Sequence, residues 1–298
     1  MAEAWIQQRE RSNPLALRLI CRFAQLMPRM VTRLWLWPIT LYFFLFAPKT
    51  RVVSKAYLQR MPGKSGNWRE VFTHLHCFAS VVLDRVYFLT DRFDKFDVSI
   101  EGAELLQAAL AENRGAILLG AHVGSFEAMR CLAIRHAQLP LKIMMYHDHN
   151  AMITRVLDEL NPKVARSVIN LAEPNALLQA KEAIEQGGFI GMLGDRLLPN
   201  EKSVSVSLLG GEVAFPIGPA TLSAMLGVPV FVFFGIYTGS NRYRVTIQLL
   251  SEGRQLARRD RDAFVSETTQ EYARKIEAVL LQYPYNWFNF YDFWSDKR

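Results

Sequence analysis

Cysteine is scarce: 298 residues contain only Cys21, Cys77 and Cys131, none close to another. Any bridge leaves one over, and thiolate zinc motifs need tighter spacing. Neither a disulfide framework nor a zinc site is expected, and a reducing compartment fits. A Gly-x-Ser-x-Gly elbow is missing as well, because Ser125 follows Gly124 without the rest of the motif, which argues against a serine hydrolase. Histidine pairs His74/His76 and His147/His149, the latter flanking Asp148, lack a supporting partner spacing, so no metal is expected and these side chains are read as surface or outer-lying groups. The first residues lack the basic–apolar–small pattern of a secretion signal.

Acidic residues are nearly absent from one region. Residues 1–69 hold twelve Lys or Arg and two Asp or Glu, a charge of +10, whereas residues 70–298 sum to −3. The basic, partner-seeking surface is therefore N-terminal. A nucleic-acid-binding face would spread its cations among stacking aromatics, and that pattern is missing, so nucleic acid is not expected as a partner.

What the N-terminus does have is amphipathic and apolar character. Arg11, Arg18, Arg22, Arg29 and Arg33 fall within about 60° of one another on a continuous helix, although Pro28 interrupts it. A cationic stripe of this kind suits a membrane interface. Residues 34–47, LWLWPITLYFFLFA, are uncharged and rich in aromatics. A fourteen-residue helix covers about 21 Å, short of a roughly 30 Å hydrocarbon core, so a monotopic anchor is expected in preference to a full span. Basic residues on both flanks give no inside–outside bias and favour the cytoplasmic face. The expected organisation is a membrane-associated segment, 1–60, followed by a body, 61–298, entered through the Gly/Pro-rich stretch 61–69.

A helical region is expected at 70–90. Beyond it, short continuous apolar runs at 117–120, 141–146, 189–193 and 229–235 have the character of strands buried on both faces. Between them, 101–112, 125–137, 149–160, 173–186 and 219–226 read as helices, with a last one at 262–281. The alternating run 243–250 suits an edge strand. The fold class is α/β, a central mixed sheet flanked by helices.

His122 stands directly after one such strand and before a helix, where a side chain emerges at a sheet end. Gly124 and Ser125 permit a tight turn and a helix cap, and Glu127 lies five residues on. A carboxylate holding one imidazole nitrogen fixes the tautomer and leaves the other nitrogen to accept a proton. Farther along, GGFIGMLGDRLLP delivers Asp195 and Arg196 into a loop after strand 189–193. Arg196 can offer a fork of donors to a phosphate or an oxyanion, and Asp195 can orient either Arg196 or His122.

His122-Val-Gly-Ser-Phe-Glu127 resembles the His-x4-Asp/Glu signature of the lysophospholipid-acyltransferase-like enzymes that complete lipid A, the lauroyl and myristoyl acyltransferases. Further blocks follow in the family's order over residues 15–294: the strand–Asp–Arg turn at 189–196, the Phe-Pro, Gly-Pro-Ala and Gly-x-Pro-Val segment within 208–237, and Pro284 with Trp287 in a terminal stretch holding eight aromatics in twelve positions. The resemblance implies that His122 and Glu127 form a catalytic dyad in which the histidine deprotonates an acceptor hydroxyl. It also implies that Asp195, Arg196, Gly218 and Thr221 contribute to substrate binding.

Implied too are a thioester donor, acyl carrier protein or coenzyme A, no bound cofactor, a membrane-lipid acceptor of the lipid A type, a transient carrier-protein partner, and a place on the cytoplasmic face of the bacterial inner membrane; the sequence does not fix the oligomeric state, and a monomer is favoured. Residues 289–293 replace the family's usual basic run, which leaves a lyso-glycerolipid, an amino-acid lipid or an aryl-polyene-like lipid as alternative acceptors. A non-enzymatic basic membrane-surface protein is the remaining reading.

Overall fold

The computed structural model describes residues 14–128, 139–146, 160–162, 166–198 and 201–294. The histidines at 147 and 149, Cys131, and most of the helices expected at 125–137 and 149–160 lie outside the described residues.

Four helices lead: α1 (Pro14–Leu26), α2 (Arg29–Phe46), α3 (Pro48–Gln59) and α4 (Trp68–Leu89). The α/β part follows as β1 (Asp97–Glu101), α5 (Ala103–Ala111), β2 (Ala116–Gly120), β3 (Leu141–Met145), β4 (Val168–Asn170), α6 (Ala176–Glu185), β5 (Phe189–Leu193), β6 (Ser203–Leu208), β7 (Gly211–Pro216), α7 (Gly218–Leu226), β8 (Val230–Gly239), β9 (Arg242–Ser251) and α8 (Arg261–Gln282). Seven strands form one mixed sheet in the order β1-β9-β8-β2-β5-β3-β4, parallel except for the β8/β9 pair.

β2 lies at the centre of the sheet, and its residues explain why the run is apolar without alternation. Ile117 and Leu119 enter one core with α8, while Ala116 and Leu118 enter another with α4 and α5. Both faces are covered, as a buried parallel strand requires.

One sheet expectation needs correction. Strand β9 is not at the edge: β1 pairs outside it, from Asp97↔Arg242 to Glu101↔Thr246, and occupies what was expected to be the approach to a helix. Residues 203–216 form a separate β6/β7 hairpin whose turn at Leu209 and Gly210 uses positive φ at both positions, as a hairpin reversal demands.

α4 opens with a reciprocal cap. Asn67 Oδ1 accepts from the amides of Arg69 and Glu70, and the Glu70 carboxylate accepts from the Asn67 amide. Its far end receives α2 through polar contacts. Arg29 donates to both oxygens of buried Asp84 at 2.9 and 2.7 Å, Tyr243 donates to the same carboxylate at 2.9 Å, and Thr32 meets the Tyr87 hydroxyl at 2.9 Å. Arg33 bonds the Ser240 carbonyl and the Tyr237 hydroxyl. Two arginines expected to belong to a lipid-facing stripe thus dock α2 to the body, Arg29 on the Asp84 carboxylate and Arg33 on Ser240 and Tyr237. What α2 leaves in the open is apolar, including Leu34, Trp35, Trp37 and Phe46, each more than half exposed. No single described helix is long and apolar enough to cross a membrane; α2 and α3 reach that length and composition only as a pair, with a 95° bend between them.

His74 also departs from expectation. Burial, and not a surface position, defines it: the side chain is enclosed, Nδ1 meets Ser54 Oγ at 2.8 Å, and Nε2 meets the Trp287 carbonyl at 2.5 Å. Desolvation pushes its pKa down to about 4 against the favourable carbonyl contact, so His74 is a neutral pin joining α3, α4 and the C-terminal tail.

Candidate active site

The site lies beyond the carboxyl ends of β2 and β5, the place where open α/β sheets present functional groups. β2 ends at Gly120, and two residues later the chain turns out with His122. The turn runs against β8. Gly124 has φ +65°, and a Cβ there would stand 2.1 Å from the Gly235 carbonyl; a Cβ on Gly235 would stand 2.1 Å from that of Ser125. Only two glycines facing each other allow the Ser125 amide to reach the Gly235 carbonyl at 2.7 Å.

From the other side comes the aromatic tail. The Phe288 amide donates to the His122 carbonyl and the Gly124 amide to the Asn286 carbonyl, both at 2.8 Å, making an antiparallel bridge between Val123 and Trp287. The tail therefore covers the body, with Trp287 buried, and clamps the histidine turn.

His122 receives its carboxylate from Asp195. Nδ1 and Asp195 Oδ1 are 2.8 Å apart, and the His122 amide donates to Oδ2 at 3.0 Å. Burial alone would push the Asp195 carboxyl up, but the charge of His122, its hydrogen bond, Arg196 and Asn289 outweigh that and hold it at about 2. An ionised carboxylate only accepts, so the proton of the neutral imidazole sits on Nδ1 and Nε2 carries the lone pair. Desolvation, then the charge of Arg196, pull the His122 pKa below its ordinary value; Asp195 opposes them and Arg85 adds to the lowering. The imidazole is about a quarter exposed, so its outer nitrogen is accessible.

Glu127 is placed differently from the expected dyad. Its carboxylate forms an ion pair with Arg85 of α4, and its other oxygen lies 3.5 Å from the Ser125 hydroxyl. Glu127 is buried, whereas the Arg85 side chain is two-fifths exposed. Arg196, expected to face an anionic substrate, turns inward: Nε donates to Asn289 Oδ1 at 2.7 Å, Nη2 to the Phe288 carbonyl at 3.3 Å, and the guanidinium lies 5.9 Å from the Tyr291 ring centre.

Asn289 completes the group by donating Nδ2 to Asp195 Oδ2 at 2.8 Å. The sequence reading missed it, treating 289–293 only as a lost basic run. The one available signal was a polar residue repeated at 286 and 289 inside an otherwise aromatic stretch.

Gly218 and Thr221 belong to the first turn of α7. A side chain at 218 would face Glu201, and the buried Thr221 hydroxyl has no hydrogen-bond partner. They adjoin a narrow apolar crevice lined by Leu119, Gly194, Pro216, Pro219, Ala220 and Tyr272, whose Gly194 is next to Asp195 in the chain. Among the described residues, no three His, Cys, Asp or Glu side chains converge to hold a metal ion.

A histidine–aspartate pair thus stands at the carboxyl end of a central parallel strand, and among the described residues no Ser or Cys is bonded to it; such a pair can take a proton from a substrate's own nucleophile. Residues 69–295 match the sequence model of the bacterial lipid A biosynthesis acyltransferases, and the chain belongs to this family. It is an acyltransferase that moves a fatty acyl group from a thioester to a lipid A-like glycolipid. No curated protein sequence matches the chain.

Proposed function

We propose that His122 is the general base, Asp195 the carboxylate that orients it, and a hydroxyl of the glycolipid acceptor the nucleophile. The His122–Asp195 contact of 2.8 Å carries this reading. The acceptor hydroxyl gives its proton to Nε2 as its oxygen attacks the thioester carbonyl. When the tetrahedral adduct collapses, the C–S bond breaks and the imidazolium returns the proton to the departing thiolate. Asp195 stabilises the imidazolium between the two steps. No acyl-enzyme forms, and no group outside the two substrates is consumed.

Glu127 acts through Arg85. A guanidinium held by a buried carboxylate yet two-fifths exposed is available to an anionic group of either substrate, whereas the half-buried Arg196 is engaged with Asn289 and Phe288. Gly218 and Thr221, at the start of α7, remain the candidates for further substrate contacts. Acyl carrier protein or coenzyme A supplies the thioester.

The exposed face of α2 is the membrane contact, seated monotopically on the cytoplasmic side of the bacterial inner membrane. It joins aromatic and aliphatic side chains to an N-terminal region of +10 charge. Transfer of a radiolabelled acyl group from each thioester donor to extracted lipids, with the product identified by mass spectrometry, tests the reaction. A labelled lipid A-type glycolipid that disappears with His122→Ala supports it, and undiminished transfer by that variant contradicts it.

A further inference from the structure

Asp195 and Arg196 are consecutive and opposite in charge, the first buried and the second half-buried, and the Asp195 carboxylate is the group on which His122 depends. A guanidinium next to a carboxylate ordinarily takes both oxygens in a fork. Here it does not. Asn289 accepts from Arg196 Nε at 2.7 Å and donates to Asp195 Oδ2 at 2.8 Å, while Oδ1 is kept for His122 Nδ1 at 2.8 Å. The two partners fix the amide's orientation, since a guanidinium can only donate and an ionised carboxylate can only accept. Backbone pairing fixes its position: the Phe288 amide bonds to the His122 carbonyl one residue before Asn289. The side chain is 2% exposed, so water does not share the task.

We propose that Asn289 is a positioning residue for acyl transfer, a neutral spacer that holds Arg196 one hydrogen bond away from Asp195 so that the carboxylate stays committed to His122. The proposal rests on the reading of His122 as general base. Arg196 at that distance helps keep Asp195 ionised without taking the lone pairs that orient the imidazole. If the guanidinium bound Asp195 directly, the imidazolium formed during transfer would lose part of its counter-charge.

Among the described residues, other charged or titratable groups near His122 are Arg85 of α4, Glu127 in its own turn, Tyr272 of α8, whose hydroxyl donates to the Gly120 carbonyl, and Tyr291 of the tail. Asn289 touches none of these through its described hydrogen bonds, and its variants leave them in place.

The test is the pH dependence of kcat/KM in full-length protein with detergent-dispersed acceptor, for wild type, Asn289→Asp, Asn289→Leu, Arg196→Met and the double variant Asn289→Leu/Arg196→Met. Asn289→Asp adds an anion beside Asp195 and is expected to move the acid limb to higher pH. Asn289→Leu removes the spacer and is expected to move it to lower pH, with kcat reduced about tenfold or more, the scale on which loss of an outer hydrogen-bond partner acts. In the double variant no guanidinium remains to reach Asp195, so its limb should coincide with that of Arg196→Met alone.

A cooperative thermal transition checks that each variant folds. Should Asn289→Leu fail to fold, Asn289→Asp and Asn289→Ser against wild type carry the same comparison. Folded variants whose limbs stay at the wild-type position, with loss of rate only, overturn the spacer role and leave Asn289 a packing residue. An active His122→Ala control overturns the general-base reading itself, which separates the two failures.

Discussion

Asp195 holds His122 at two atoms, the ring through Nδ1 and the backbone through the amide, although the residues are 73 positions apart. The double attachment fixes both where the imidazole stands and which nitrogen carries its proton. Adjacent strands β2 and β5, paired in register from Ala116↔Phe189 to Gly120↔Leu193, bring the two residues together.

His122→Ala is expected to reduce transfer by about 10²- to 10⁴-fold with the fold intact, the usual effect of removing a general base. Radiolabelled acyl transfer alongside a thermal melt checks both halves of the statement. The imidazole's exposed edge leaves little buried surface to lose.

The pH dependence has a definite sign. Burial and the neighbouring Arg196 and Arg85 lower the His122 pKa, so the midpoint of the acid limb of kcat/KM should lie below the ordinary imidazole value of 6.5. Arg85→Ala removes one lowering charge and should shift the acid limb upward. A limb unmoved in that variant means Arg85 is too remote to act on His122. The same variant should raise KM for an anionic substrate more than it lowers kcat.

His74 makes folding stability acid-sensitive. Its folded pKa of about 4 lies below the unfolded 6.5, so the unfolded chain binds the extra proton between those values, and stability present above pH 6.5 is lost as pH falls toward 4. One such group gives a slope of at most about 1.4 kcal/mol per pH unit. His122 contributes in the same direction, and Asp195 contributes only below about 4. Chemical denaturation from pH 7 to 4 should show a shallower slope for His74→Gln than for wild type, with lower stability at pH 7 because the ring's packing is lost.

The face of α2 should decide membrane attachment. Trp35→Glu together with Phe46→Glu alters two side chains that are more than half exposed, so folding should persist while the protein leaves the membrane fraction in high salt. Retention equal to wild type removes this face from the contact. Arg29→Ala acts otherwise: it strands buried Asp84 and should cost about 3–5 kcal/mol of stability, read by denaturant unfolding.

The strands at 116–120, 141–145, 189–193 and 230–239 were legible as continuous apolar runs because burial on both faces leaves that trace. β1, DVSIE, was not: its exposure alternates at the sheet edge, and five residues beside a helix give little signal. The hairpin at 203–216 was hidden because its second strand was absorbed into a longer apolar block. His122 was legible from its place after a strand. Its partner was ambiguous between Glu127 and Asp195, because sequence nearness favours the first while sheet pairing delivers the second. Asn289 was illegible since its role depends on the tail returning across 94 residues to Asp195, and an amide has no titration or ligand pattern to mark it.

The assignment of Asp195 as the carboxylate of the base is tested most directly by comparing Asp195→Asn with Glu127→Gln in acyl transfer, resolving kcat from KM for each substrate. An amide at 195 can present a donor to Nδ1 and favour the wrong tautomer, so kcat should fall by roughly 10²- to 10⁴-fold with little change in KM. Glu127→Gln should act mainly on KM through Arg85 and leave the larger part of kcat. A near wild-type kcat in Asp195→Asn, with the full loss found instead in Glu127→Gln, would contradict the account and return the dyad to His122 and Glu127.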